Sequence, residues 1–231
     1  MALTAAVVQL SSVPSVDDNL ARHVELATQA AHAGADLVLF PELSLVGYDL
    51  DSLGDASRWF TTADARLDDL RALSAATGAT IVVGAPVCGV DGRLLASLVL
   101  QPSGSVVLAP KQHLHGDENL WFTPGTGPTV VTVGDTLVGL AICYDTAFPE
   151  HAADAAARGA SVYAASVVFV TGEEGKLHDR MRSRTGDHGM TGLAANVAGS
   201  RSVGGSGGWA PDGSVLAVAE GSGDELLLVS W

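Results

Sequence analysis

A layered α/β domain with more than one sheet is predicted by three features of this 231-residue sequence. The N-terminal part alternates apolar runs with a stretch of helical spacing, the order of a parallel strand, helix, strand unit. Later parts carry paired apolar runs around short turn sequences, as antiparallel hairpins do. Strand candidates also outnumber helix candidates, so the strands call for two sheets and the helices are left to cover the outside.

Taken in order, Ala5 to Leu10 (AAVVQL) is the first strand. Asp17 to Ala33 is the first helix, with Leu20, Val24, Ala27 and Ala31 on one face, Asp17 or Asp18 as its cap and Gly34 as its stop. Asp36 to Phe40 (DLVLF) is the second strand. A second helix over Asp64 to Thr77, stopped by Gly78, leads into the strand Thr80 to Gly84. Leu94 to Leu100 and Val106 to Ala109 flank Pro102-Ser103-Gly104, and Thr129 to Val133 and Thr136 to Ile142 flank Gly134-Asp135; both pairs read as hairpins. Glu150 to Arg158 is a helix ended by Gly159, ahead of the apolar run Ser161 to Val170. His178 to Gly189 opens as a helix, Leu193 to Val197 is a strand, and Val203 to Gly208 is glycine-rich. Gly213 to Val218 with Glu225 to Val229 reads as a closing hairpin. No linker, repeat or low-complexity tract divides the chain, so residues 1–231 read as one domain.

Composition narrows the function. With 47% hydrophobic and 16% charged residues the chain has ample material for a core. A formal net charge of -14 repels phosphate backbones and anionic lipid surfaces, so neither nucleic acid nor a membrane is an expected partner. The N-terminus has no basic region before its apolar run, and no apolar stretch reaches membrane-spanning length. Two cysteines, Cys88 and Cys143, form no disulfide framework or zinc pattern, which suits a reducing cytoplasm.

Chemistry is concentrated where buried strands end. Val138 to Glu150, VGLAICYDTAFPE, changes abruptly from an apolar run to a polar and aromatic turn at Cys143. Taken alone, Cys143 reads first as a small buried hydrophobe, the commonest fate of a free cysteine. Three more ionisable residues share its setting: Glu42 follows DLVLF and Pro41, Lys111 follows VVLA and Pro110, and Glu118 sits in the loop HGDENLWFTPG. A thiol, a carboxylate of raised pKa and an ammonium are complementary parts for attack on a carbonyl-like carbon. The ammonium can stabilise the oxyanion that develops.

PEL at Pro41 to Leu43, PKQHL at Pro110 to Leu114, DENLWFTPG at Asp117 to Gly125 and ICYDTAFPE at Ile142 to Glu150 resemble the successive motifs of the nitrilase superfamily, the carbon–nitrogen hydrolases. The likeness continues in AANVAG at Ala194 to Gly199 and GWAPDG at Gly208 to Gly213. It implies a four-layer αββα sandwich with a Glu-Lys-Cys triad. On that resemblance Glu42 is the general base and acid, Lys111 stabilises the tetrahedral intermediate, Cys143 is the nucleophile and Glu118 hydrogen-bonds near the lysine. The Tyr144 N–H would complete the oxyanion hole, and Trp121, Phe122 and Tyr144 are candidate pocket walls. No cofactor and no metal are implied; His113 and His115 lack a third ligand at a recognisable spacing.

Two departures bear on specificity. Many relatives read CYDxRFPE at the cysteine, and here Ala147 occupies the arginine position, which weakens the expectation of a carboxylate-bearing substrate. In Arg182 to Asn196, Arg184 is kept, but Asp187 and His188 stand where glutamate and asparagine are usual. The resulting expectation is a cytoplasmic amidase acting on a small linear amide through a thioester, assembled as a homodimer. N-carbamoyl amine hydrolysis, nitrile hydrolysis and a catalytically silent binding protein are the alternatives; CYD rather than CWE favours amides over nitriles.

Overall fold

Alternation along the first strand sets the layering. In β1 (Thr4–Gln9), Ala5 and Val7 join a cluster with Val138, Leu140, Val162 and Leu193, while Ala6 and Val8 join another with Leu20, Ala27, Val38 and Phe40. The first cluster lies between two sheets and the second beneath a helix. The structure, a computed structural model, describes residues 3–90, 92–173 and 175–231.

The remaining elements are α1 (Val16–His32), β2 (Leu37–Leu39), α2 (Asp68–Thr77), β3 (Thr80–Gly89), β4 (Gly92–Leu100), β5 (Val106–Pro110), β6 (Thr129–Val133) and β7 (Thr136–Ile142). They are followed by α3 (Pro149–Ala157), β8 (Val162–Val167), α4 (Lys176–His188), β9 (Thr191–Asn196), β10 (Gly207–Trp209), β11 (Val215–Val218) and β12 (Glu225–Ser230). One sheet runs β12-β1-β2-β3-β4-β5 and the other β11-β10-β9-β8-β7-β6. In each, three neighbouring strands are parallel, β1-β2-β3 and β7-β8-β9, with antiparallel strands on both sides.

Helices cover both outer faces. Leu20, Ala27 and Ala30 of α1 and Leu70 of α2 pack on the first sheet. Ala152 and Ala155 of α3 and Leu177 and Met181 of α4 pack on the second, against Tyr163, Ala165 and Trp209. The result is the predicted αββα sandwich.

Four local expectations are corrected. The cap of α1 is Ser15, whose hydroxyl accepts from the Asp18 N–H at 3.2 Å; Asp17 and Asp18 instead fill the first turn, where acidic charge suits the helix dipole. The buried stripe of α1 is Asn19, Leu20, His23, Ala27 and Ala30; of the expected face, Val24 is partly buried against the same core and Ala31 gives way to Ala30. His23 can lie inside because both ring nitrogens are bonded, to the Asn19 carbonyl at 2.6 Å and to Ser44 Oγ at 2.9 Å.

The strand expected to stop at Gly84 continues to Gly89 and pairs with β4 along its full length. The expected closing hairpin does not form, because its two strands belong to different sheets. β11 pairs with β10, while β12 pairs with β1 over six residues, from Thr4 opposite Ser230 to Gln9 opposite Glu225. The buried side chain of Gln9 holds the crossing segment, donating to the Gly221 and Gly223 carbonyls at 2.8 and 2.7 Å.

Candidate active site

Pairing carries three segments to the same end of the sandwich. Glu42 lies three residues beyond β2, Lys111 directly follows β5, and Cys143 directly follows β7. Ser166 of β8 bridges the sheets there, its hydroxyl donating to the Phe40 carbonyl at 2.7 Å.

Lys111 Nζ donates to Glu42 Oε1 and to Glu118 Oε1, both at 2.7 Å, with all three side chains buried. Glu118 Oε1 also accepts from Tyr48 Oη at 2.6 Å, and its Oε2 accepts from the His115 N–H at 2.8 Å. Glu42 Oε2 is buried with no hydrogen-bond partner, which leaves one acceptor free for a proton. The Cys143 thiol donates to the Val168 carbonyl at 3.5 Å and, unlike the three charged side chains, keeps partial exposure.

The electrostatics follow from this packing. Burial pushes Glu42 up to about 7, partly offset by Lys111, while the second carboxylate of Glu118 pushes the same way as burial. Burial opposes the charge on Lys111, but Glu42, Cys143 and Glu118 together outweigh it and raise its pKa. Burial, reinforced by Glu42, raises the Cys143 thiol despite the opposing pull of Lys111. The resting sulfur is therefore a thiol that needs a base at the moment of attack.

Backbone strain is confined to these positions. Leu43 at φ 50° and Cys143 at φ 41° are the non-glycine residues with positive φ among those described, one beside Glu42 and the other the cysteine itself. At Cys143 the chain leaves β7 and enters a short 3-10 turn, Cys143–Ala147, and the N–H groups of Cys143 and Tyr144 open that turn without carbonyl partners inside it.

Asp145, which sequence reading passed over as one letter of CYD, fixes this turn. Its Oδ2 accepts from the Ile142 N–H at 3.0 Å. Its Oδ1 accepts from the His113 and Gln112 N–H groups at 2.7 and 3.2 Å and lies 3.0 Å from His113 Nδ1. One carboxylate thereby ties the cysteine turn to the lysine loop. Arg184 Nε holds the far end of the turn, donating to the Thr146 carbonyl at 3.0 Å, and Arg184 Nη1 lies 3.7 Å from Asp187 Oδ2.

The glutamate side is locked just as closely. Ser44 Oγ accepts from the Gly84 N–H at 3.2 Å and bonds His23, whose pKa burial lowers to about 4, so the imidazole is neutral. A Cβ on Gly84 would sit 2.3 Å from the Leu43 nitrogen and 2.5 Å from the Pro41 carbonyl oxygen. Gly84→Ala is therefore expected to displace the Glu42 segment, costing about 2 kcal/mol or more of stability together with most activity. Thermal melts and turnover check this; a fully active, equally stable variant would show that the segment tolerates movement.

The other expected residues are distributed unevenly. Tyr144 is partly exposed and meets the rings of His115 and Phe148 edge-on, with centroids 4.8 and 5.1 Å apart. Trp121 is partly buried against the core under α1 and α2, and Phe122 is part of that core, packed 5.7 Å from Trp59. Ala147 is partly buried, with its carbonyl 3.5 Å from Arg184 Nη2. His113 stacks on Phe148 at 3.8 Å in addition to its bond to Asp145. Sequence reading missed Tyr48, six residues beyond Glu42, whose only advance signal is its place after Gly47, a left-handed glycine at φ 79°.

A cleft of about 780 Å³ adjoins the site, and Tyr48 and Val168 form part of both. Its walls come from loops after β1, β2, β8 and β9, represented by Ser12, Val46, Thr171 and Ala198.

Fold and site together define a hydrolase of the nitrilase superfamily. The carbon-nitrogen hydrolase family matches residues 4–230, and the chain belongs to that family. A hydrolase of Mycobacterium tuberculosis is 29% identical over 253 residues, covering 96% of this chain and 87% of the relative. The deaminated glutathione amidase of Synechocystis is 29% identical over 191 residues, covering 75% of this chain and 69% of its own length. Among solved structures, an amidase from Nesterenkonia sp. superposes with a TM-score of 0.87 at 29% identity, covering 99% of this chain and 90% of that one.

Proposed function

We propose that this carbon–nitrogen hydrolase is an amidase acting on linear amides, with Cys143 as nucleophile, Glu42 as general base and acid, and Lys111 as the fixed cation. The observation that carries this reading is the buried ammonium shared by two carboxylates beside a thiol that all three influence. The similar Nesterenkonia amidase has been described with acrylamide added at its active-site cysteine and in complex with butyramide, which favours a primary amide as the group that reacts.

In this course the Cys143 sulfur adds to the amide carbonyl carbon as its proton passes to Glu42. Lys111 and the Tyr144 N–H face the oxygen that becomes negative. Collapse expels ammonia or an amine, which takes the proton from Glu42, and leaves a thioester. Water, deprotonated by Glu42, then attacks the thioester carbon and releases the acid and the thiol. Glu118 holds Lys111 in place and is itself held by Tyr48 and the His115 N–H.

Because Glu42 must be ionised to accept the thiol proton, acylation is expected to rise with pH along a limb with its midpoint at about 7. A pre-steady-state profile measured across neutrality checks this, and a flat one would assign the proton to another group. Incubating the enzyme with an amide panel and weighing the intact protein tests the reading as a whole. An adduct on Cys143 matching the acyl half is the expected result, whereas no adduct and no released ammonia would refute it. Carbon dioxide accompanying the ammonia would mark carbamoyl compounds as the substrates.

A homodimer and a cytoplasmic location belong to the same reading. The first is supported by the resemblance alone. The second is supported by two free thiols, Cys88 and Cys143, which suit a reducing compartment. Among the described residues, no helix is long and apolar enough to cross a membrane.

A further inference from the structure

Two of the three Lys111 donors are taken by its glutamates and the third is left for the reacting oxygen, so charge recognition of the rest of a substrate must come from the cleft next to it. At about 780 Å³ that cleft is within the range that encloses drug-sized ligands and is far larger than a four-carbon amide needs. It adjoins the reacting group, since among its lining residues Val168 supplies the carbonyl that accepts the Cys143 thiol and Tyr48 supplies the hydroxyl that holds Glu118. A substrate acylating Cys143 can therefore extend along it.

Three charged residues line this cleft: Asp49, Arg58 and Arg201. Arg58 is used internally, donating to the Val46 and Pro14 carbonyls at 2.9 and 2.8 Å. The guanidinium of Arg201 makes no hydrogen bond or ion pair among the described residues. Its backbone, by contrast, is pinned. The Arg201 carbonyl accepts from the Thr171 N–H at 2.9 Å and from its hydroxyl at 3.3 Å. Gly199 N–H donates to the Ser222 carbonyl at 2.7 Å, Ser202 N–H donates to the Gly199 carbonyl at 2.9 Å, and the Ser202 hydroxyl bonds the Val197 carbonyl. So short and well-tied a loop fixes the backbone that carries this cation, which has no partner among the described residues to neutralise it.

We propose that the cleft takes an extended amide whose far end carries a carboxylate, and that Arg201 binds that carboxylate. The planar guanidinium fork matches a carboxylate in two parallel hydrogen bonds. The cation that Ala147 cannot supply at the cysteine turn would in this way come from the loop after β9. This inference rests on the amidase reading and adds the substrate class to it. Arg201 is a specificity residue, remote from the reacting atoms.

The test compares two series of primary amides of rising chain length, monoamides of dicarboxylic acids and alkyl amides of matched length. Each series is run with the wild type and with Arg201→Gln, a substitution at an exposed loop position. In the wild type, kcat/KM is expected to favour the carboxylate series most strongly at one chain length and to lose that preference as salt is raised. In Arg201→Gln the ratio of carboxylate to neutral kcat/KM should fall about tenfold at that length, mainly through KM, with Arg201→Lys recovering part of it. If the neutral series is turned over while the carboxylates gain nothing from Arg201, the subsite is wrong and the amidase reading stands. If neither series acylates Cys143, the amidase reading falls and the subsite with it.

Discussion

Cys143→Ala is expected to abolish hydrolysis, lowering kcat by at least about 10⁴-fold, while the protein melts within about 1 kcal/mol of the wild type. The two halves of this result have separate causes. Chemically, no other group in the pocket can form an acyl intermediate: Glu42 and Glu118 are bonded to Lys111, and Tyr48 donates to Glu118, with burial raising its pKa. Structurally, the sulfur contributes one weak hydrogen bond to the Val168 carbonyl, and the turn around it is held by Asp145 and Arg184. Alanine at this position should keep those bonds and the positive φ. Intact mass after incubation with an amide gives the sharper readout, since the variant should carry no adduct. Retained turnover would transfer the nucleophilic role elsewhere and with it the whole assignment.

Lys111→Met should have the largest effect on stability, a loss of about 3–5 kcal/mol at neutral pH, together with loss of activity. Methionine fills similar volume but leaves two buried carboxylates facing each other without a cation. In that variant the buried pair gains by taking up a proton in the folded state, and Glu42, already raised by burial and now without the offset from Lys111, lies further above its unfolded pKa. The sign follows from linkage: the favourable contribution is present below the unfolded pKa and is lost as pH rises through the folded pKa. The variant should consequently regain stability on moving from neutral to mildly acidic pH, a direction in which most proteins lose it. Chemical denaturation at several pH values measures this. A variant as stable as the wild type at neutral pH, with no gain on acidification, would mean that the carboxylates find water or move apart.

Much of the site was legible because its parts are local. Glu42, Lys111 and Cys143 each stand within three residues of a strand end, and an apolar run followed by a proline or an abrupt polar turn is a signal a linear reading can use. Glu118 was legible as part of its motif, though the reason for its placement was not. Tyr48 reaches Glu118 across 70 positions of sequence, and Asp145 binds the lysine loop across 32 and 33. Nothing in the neighbouring letters of either residue reports such a partner.

The sequence by itself determined the strand and helix periodicities, the αββα class through its ordered motifs, and the identity of the four chemical groups. Each depends on side-chain type and on neighbours a few residues away. Tertiary structure alone decided that the last two strands join different sheets, because the open edge of β1 offers β12 a six-residue ladder and Gln9 fastens the crossing. It also decided that one ammonium serves two carboxylates, that one aspartate ties the cysteine turn to the lysine loop, and that loops from four strands build a cleft with Arg201 among its lining residues. These are relations between segments far apart in the chain, and they come into being only when the two sheets close on their shared core.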